Sequence, residues 1–103
     1  MVELLKSLGL PFAYSHFAEG ESPEPPFLLY LYPESHNYRA DNIVWKEINK
    51  VYLEVYTDKK DILVEKKIEK ALMEKGIYWE KSETWIETEK LYEVLYSFEL
   101  EER

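Results

Sequence analysis

The clearest pattern in the chain is an alternation near its C-terminus. Tyr92, Val94, Tyr96, Phe98 and Leu100 place an apolar side chain at every second position, the mark of a strand with one buried face. A second alternation lies in the stretch 42–56, which reads as a long strand. There Val51, Leu53 and Val55 point one way, and Tyr52, Glu54 and Tyr56 the other. Val44, Trp45, Ile48 and Asn49 break that rhythm, leaving open a bend or a hairpin turn near Lys46–Asn49. Phe27–Tyr32 is a continuous apolar run bounded by prolines, a strand covered on both faces. Residues 77–87 and 89–100 read as two strands around a turn near Thr88.

Two segments follow the helical period instead. Val2, Leu4, Leu5 and Leu8 share one side of a short helix over 2–9, closed by Gly9 and Pro11. Val64, Ile68, Ala71 and Leu72 form the apolar stripe of a helix over 59–75. Asp58 is its expected N-cap, Asp61 completes a capping box, and Gly76 is the C-terminal stop. The outer face of that helix mixes Glu and Lys. Pro11–Phe17 alternates weakly, as a short or edge strand would, Glu19–Pro26 is a loop, and Glu34–Ala40 is polar and turn-like. The expected order is α-β-β-β-α-β-β: an α+β fold with a single antiparallel sheet of four to five strands and two helices on one face. With 103 residues and no internal repeat or linker, residues 1–103 read as a single domain.

Composition narrows the function classes. A net charge of −8 argues against non-specific nucleic-acid binding, which needs clustered Lys and Arg. The absence of cysteine removes disulfide and thiolate chemistry. No signal peptide is expected from Met1–Lys6, and no apolar run has the length of a membrane span. His16 and His36, the only histidines, fit no metal-ligand spacing. Asp58 and Asp61 are separated by Lys59 and Lys60, which does not fit a calcium loop. Ser15 precedes His16, but neighbours on a strand point to opposite faces. Three glycines cannot assemble a phosphate-cradling loop. The 21 acids make any carboxylate pair uninformative as an acid–base site. The expectation is a non-enzyme without cofactor or metal.

The aromatic load is harder to dismiss: nine tyrosines and three tryptophans in a small chain. Tyr92, Tyr96 and Phe98 share the face with Val94 and Leu100 and read as core. If helices cover the Val51/Leu53/Val55 face, Tyr52 and Tyr56 flank Glu54 on the open side. Trp79 and Trp85 share a parity, with Lys81 and Glu83 between them. Aromatics interleaved with charges on a sheet suggest a subunit interface, with ordinary cross-strand packing the competing explanation. Tyr38, Arg39, Tyr52, Glu54, Tyr56, Trp79 and Trp85 are the interface candidates.

The stretch Asp41-Asn42-Ile43-Val44-Trp45, then Val51 through Asp61, and Glu80 through Glu87 leading into the last strand, resemble small virion-assembly proteins of long-tailed phages and prophages of Gram-positive bacteria. The likeness is to the tail-completion group, tail terminators and head–tail joining proteins, and covers roughly residues 27–100. It implies an α+β subunit that self-associates into a ring, often a hexamer. The ring would sit at the head-proximal end of the tail, between tail-tube and connector proteins. The subunit would be cytoplasmic in the bacterial host during assembly and then a virion component. The likeness carries no functional residues with it, so the interface candidates rest on exposure. The competing reading is an acidic inhibitor or DNA mimic that occupies a basic groove on a host protein. Residues 80–103 favour it, with eight acids against Lys81, Lys90 and Arg103.

Overall fold

In the computed structural model, which describes residues 1–35, 37–40 and 43–101, two helices pack on one face of a five-stranded sheet. The elements are α1 (Val2–Leu8), β1 (Phe12–Tyr14), β2 (Phe27–Leu31), β3 (Tyr38–Ala40), β4 (Ile43–Lys46), β5 (Ile48–Thr57), α2 (Ile62–Glu74), β6 (Trp79–Ile86) and β7 (Leu91–Glu101). The sheet order is β1-β2-β5-β7-β6, with β3 and β4 forming a separate two-stranded sheet. The α+β class and the helix placement follow the reading of the sequence.

The alternation in β5 decides which side the helices take. Val51, Leu53 and Val55 are fully buried, and they join Leu4, Leu5 and Leu8 of α1 and Ile68 and Leu72 of α2 in one core. Val94, Tyr96 and Phe98 of β7 complete that layer. Residues opposite one another across paired strands share a face, so the register Val55↔Leu28, Leu53↔Tyr96 and Val51↔Phe98 carries the buried stripe across the sheet. The two helices are also tied directly: Lys67 Nζ donates to the Leu8 carbonyl at the end of α1, 2.6 Å away.

Three local expectations change. The sheet is mixed, because β1 runs parallel to β2. The loop 15–26 between them is long enough to carry the chain back to the same end, which a tight hairpin cannot do. The cap of α2 is Asp61, not Asp58. Its carboxylate accepts from the Val64 N–H at 3.1 Å, while β5 keeps the chain extended through Thr57. Asp61→Ala is expected to cost about 1 kcal/mol in urea unfolding, and Asp58→Ala close to nothing. At the other end of α2, Gly76 (φ +69) lets the Ile77 N–H reach the Leu72 carbonyl and its own N–H reach that of Met73, as expected of a glycine stop.

The third concerns 34–50, where the alternative left open near Lys46–Asn49 is also decided. No hairpin turn forms near Lys46–Asn49; β4 leads into β5 through Glu47. Tyr38–Ala40, read as turn, is a strand paired to β4. The pairs Phe27↔Tyr56 to Leu31↔Tyr52, the bridge Ser35↔Asn49 and Ala40↔Ile43 follow one antiparallel course. β2–β5 and β3–β4 are therefore stretches of one long hairpin that outruns the main sheet. No helix among the described residues is long and apolar enough to cross a membrane.

Candidate functional site

Neither helix covers the second face of the sheet. By register it carries Leu29 and Leu31 of β2, Tyr52, Glu54 and Tyr56 of β5, and Glu93 and Leu95 of β7. All seven are half-buried. Tyr52, Glu54 and Tyr56 thus lie together on the open side, as the alternation in β5 implies once the helices take the other.

The polar centre of this face is a carboxyl–phenol–carboxyl group. The Tyr56 hydroxyl lies 2.8 Å from Glu54 Oε1 and 2.8 Å from Glu93 Oε2. A phenol has one proton to donate, so both short contacts are filled only when a carboxyl supplies another. Glu54 can supply it. Burial pushes its carboxyl above the usual range, the Tyr56 hydrogen bond pulls it back, and the Glu93 charge pushes it up again. Burial, and then the hydrogen bonds and charges of Glu93 and Glu54, push the Tyr56 phenol strongly upward, so it keeps its proton. Its ring stacks on Phe27 with centroids 5.1 Å apart, and Phe17 meets Phe27 edge-on at 5.4 Å. A shallow groove of about 530 Å³ opens beside Tyr56, lined by Phe17, Phe27, Leu29, Ile86 and Leu91 among others.

Trp79 and Trp85 are not part of this face. They pair with Phe98 and Tyr92, which places them on the helix side of the edge strand β6. Trp79 packs against the core, whereas Trp85 is 42% exposed with its ring 4.7 Å from that of Tyr92. Tyr38 and Arg39 lie on β3, but their side chains fall outside the described residues, as does His36. The seven candidates therefore divide among the open face, the β6 edge and the hairpin extension.

Sequence reasoning missed Glu93 and a charged cluster under α2. Glu65 and Glu69 are 4% and 8% exposed, although they belong to a helix face read as solvated. Lys81 of β6 donates to Glu65 at 3.0 Å and to Glu69 at 2.7 Å, Tyr96 donates to Glu69 at 2.8 Å, and Lys60 lies 2.7 Å from Glu65. Lys60 also pairs with Glu83. Burial raises both carboxyls, but the lysines bonded to them, and Tyr96 at Glu69, outweigh it and leave each below the usual range. The signal available in the sequence was Lys81, a lone cation at a helix-side position of β6.

Ser15 Oγ and His16 Nδ1 do come within 3.4 Å, because Ser15 turns out of β1 at φ +66, but both are exposed. Among the described residues no three His, Asp or Glu side chains gather where an ion could sit. No protein-family model matches the chain, and no curated protein matches it.

Proposed function

We propose that the protein is a structural assembly subunit that associates through its open sheet face. In the reading favoured by the sequence, it serves as a ring-forming tail-terminator or head–tail joining protein of a phage or prophage, contacting tail-tube and connector proteins. The observation that supports association is the half-buried set Leu29, Leu31, Tyr52, Tyr56 and Leu95 on a face without helices. Large aromatics around a polar centre are typical of the energetically dominant part of an interface. Light scattering across a concentration series, with electron microscopy of the concentrated sample, is expected to show closed rings that bind tail-tube or connector protein. A strict monomer at every concentration that binds neither partner overturns this reading.

The acidic-inhibitor reading also has an observation behind it. Glu54, Glu80, Glu93 and Glu99 share the open face by register, with Lys50 opposite Glu99. That reading predicts a stable complex with a basic protein, lost steeply as salt rises. Ring formation that persists in high salt favours the assembly role.

A further inference from the structure

The edge strand β6 pairs with β7 through Ile86↔Leu91 to Trp79↔Phe98 without a register shift. Its other side is the edge of the sheet. An edge of eight regular residues is a template for another strand unless something blunts it. Proline and bulges, two common devices, are absent from Trp79–Ile86. The third device is charge, and here it has a particular arrangement. The sequence Trp79-Glu80-Lys81-Ser82-Glu83-Thr84-Trp85 is nearly self-complementary about Ser82.

We propose that β6 is a homotypic docking strand, pairing antiparallel with β6 of a second copy about a two-fold axis at Ser82. In that register Lys81 faces Glu83 of the second copy, twice by symmetry, and Trp79 faces Trp85, also twice. Glu80 faces Thr84, and Ser82 faces itself with no bulk to exclude it. Opposite charges and aromatics placed directly across strands are stabilising pairs. The neighbouring registers that keep the same faces together fail on charge: one sets Glu83 against Glu83, the other Lys81 against Lys81. The arrangement therefore selects one register.

The pairing extends contacts already present. Lys81 is bonded to Glu65 and Glu69, and Glu83 to Lys60. Across the axis, the order becomes an alternating line of acids and lysines from one α2 to the other subunit's Lys60. A two-fold of this kind stands normal to the sheet, so the helices of both copies lie on the same side. Trp85, with much of its ring exposed, gains an aromatic partner beyond Tyr92. The interface is isologous and closes at two copies. It uses an edge rather than the open face, so it stands whether or not rings form.

The chain has no cysteine, which gives a direct test. Cα atoms facing one another across antiparallel strands lie about 4.5–5.5 Å apart, within disulfide range. Under mild oxidation Ser82→Cys is expected to give a covalent dimer much faster than Thr88→Cys, an equally exposed control in the β6–β7 turn. Glu83→Lys sets two cations against one another across the axis and leaves the Lys81 contacts to α2 in place. It is expected to raise the dimer dissociation constant about tenfold. Circular dichroism checks that each variant is folded. Cross-linking of Ser82→Cys no faster than that of the control overturns the proposal, as does a dimer unaffected by Glu83→Lys. Rings that form through the open face without enrichment of the Ser82→Cys cross-link overturn it too, and leave the assembly reading standing.

Discussion

Leu53→Ala is expected to lower the unfolding free energy by about 3–4 kcal/mol, a large share of the stability of a domain this size. Leu53 is fully buried at the centre of the sheet, facing Tyr30 on one side and Tyr96 on the other. The loss combines the transfer of the missing carbons with a cavity that flanking strands cannot close. The melting temperature should fall by roughly 15–20 °C. Tyr52→Ala, one residue earlier, removes more atoms but from the open face. It is expected to cost less than about 1 kcal/mol and to weaken self-association. Thermal unfolding of the two variants, alongside their scattering mass, checks the assignment of the two faces. Equal destabilisation would contradict it.

Lys81→Met is expected to cost about 2–3 kcal/mol near neutral pH. Removing it leaves Glu65 and Glu69 buried with much of their compensation gone. A fully buried pair broken in this way costs about 3–5 kcal/mol, and the smaller figure allows for the partial exposure of Lys81 to solvent. The effect has a definite pH dependence. Both carboxyls sit below their ordinary value of 4.5 in the folded protein, so their contribution is complete above that value and lost as the pH falls through the folded one. Lys60 and Lys81 are raised above 10.5, first by hydrogen bonds to Glu65 and Glu69 respectively, and their contribution is lost as the pH rises through the folded value. The cluster therefore acts fully between about 4.5 and 10.5. Glu54 on the other face is shifted upward and has the opposite sign, favouring the folded state as acid is added. Urea unfolding at about pH 7 and about pH 3 should show the gap between wild type and Lys81→Met shrinking in acid. A constant gap would mean that Lys81 stabilises by packing alone.

β5 and β7 were legible because each alternates against a single helical layer. Val51, Leu53 and Val55 announce which side is dry, and Tyr92 to Leu100 announce the neighbour. The N-terminal helix and its Gly9 stop were legible for the same reason, since local spacing carries the whole signal. What was hidden depends on partners distant in sequence. Glu65 and Glu69 look like any solvated helix face until Lys81 of β6 is laid beside them. Trp79 and Trp85 share a parity, but only their pairing with Phe98 and Tyr92 says which face that is. Glu93 gains its role from Tyr56, its neighbour across the strand pair. The strand at Tyr38–Ala40 was illegible because its three residues, Tyr38, Arg39 and Ala40, are too few to set up an alternation.

The position of β5 in the sheet bears on the order of folding. Its full length is matched by β7, from Thr57↔Tyr92 to Ile48↔Glu101, yet α2, β6 and their connections lie between them in the chain. The hairpins β6–β7 and β2–β5 each need only local closure, whereas joining β5 to β7 carries the entropy of a long loop. The central seam is thus expected to close after the hairpins on either side of it have formed. Two half-sheets, each with a bare edge, precede the native one, and speed of closure at the seam then governs how long those edges stay available to other chains.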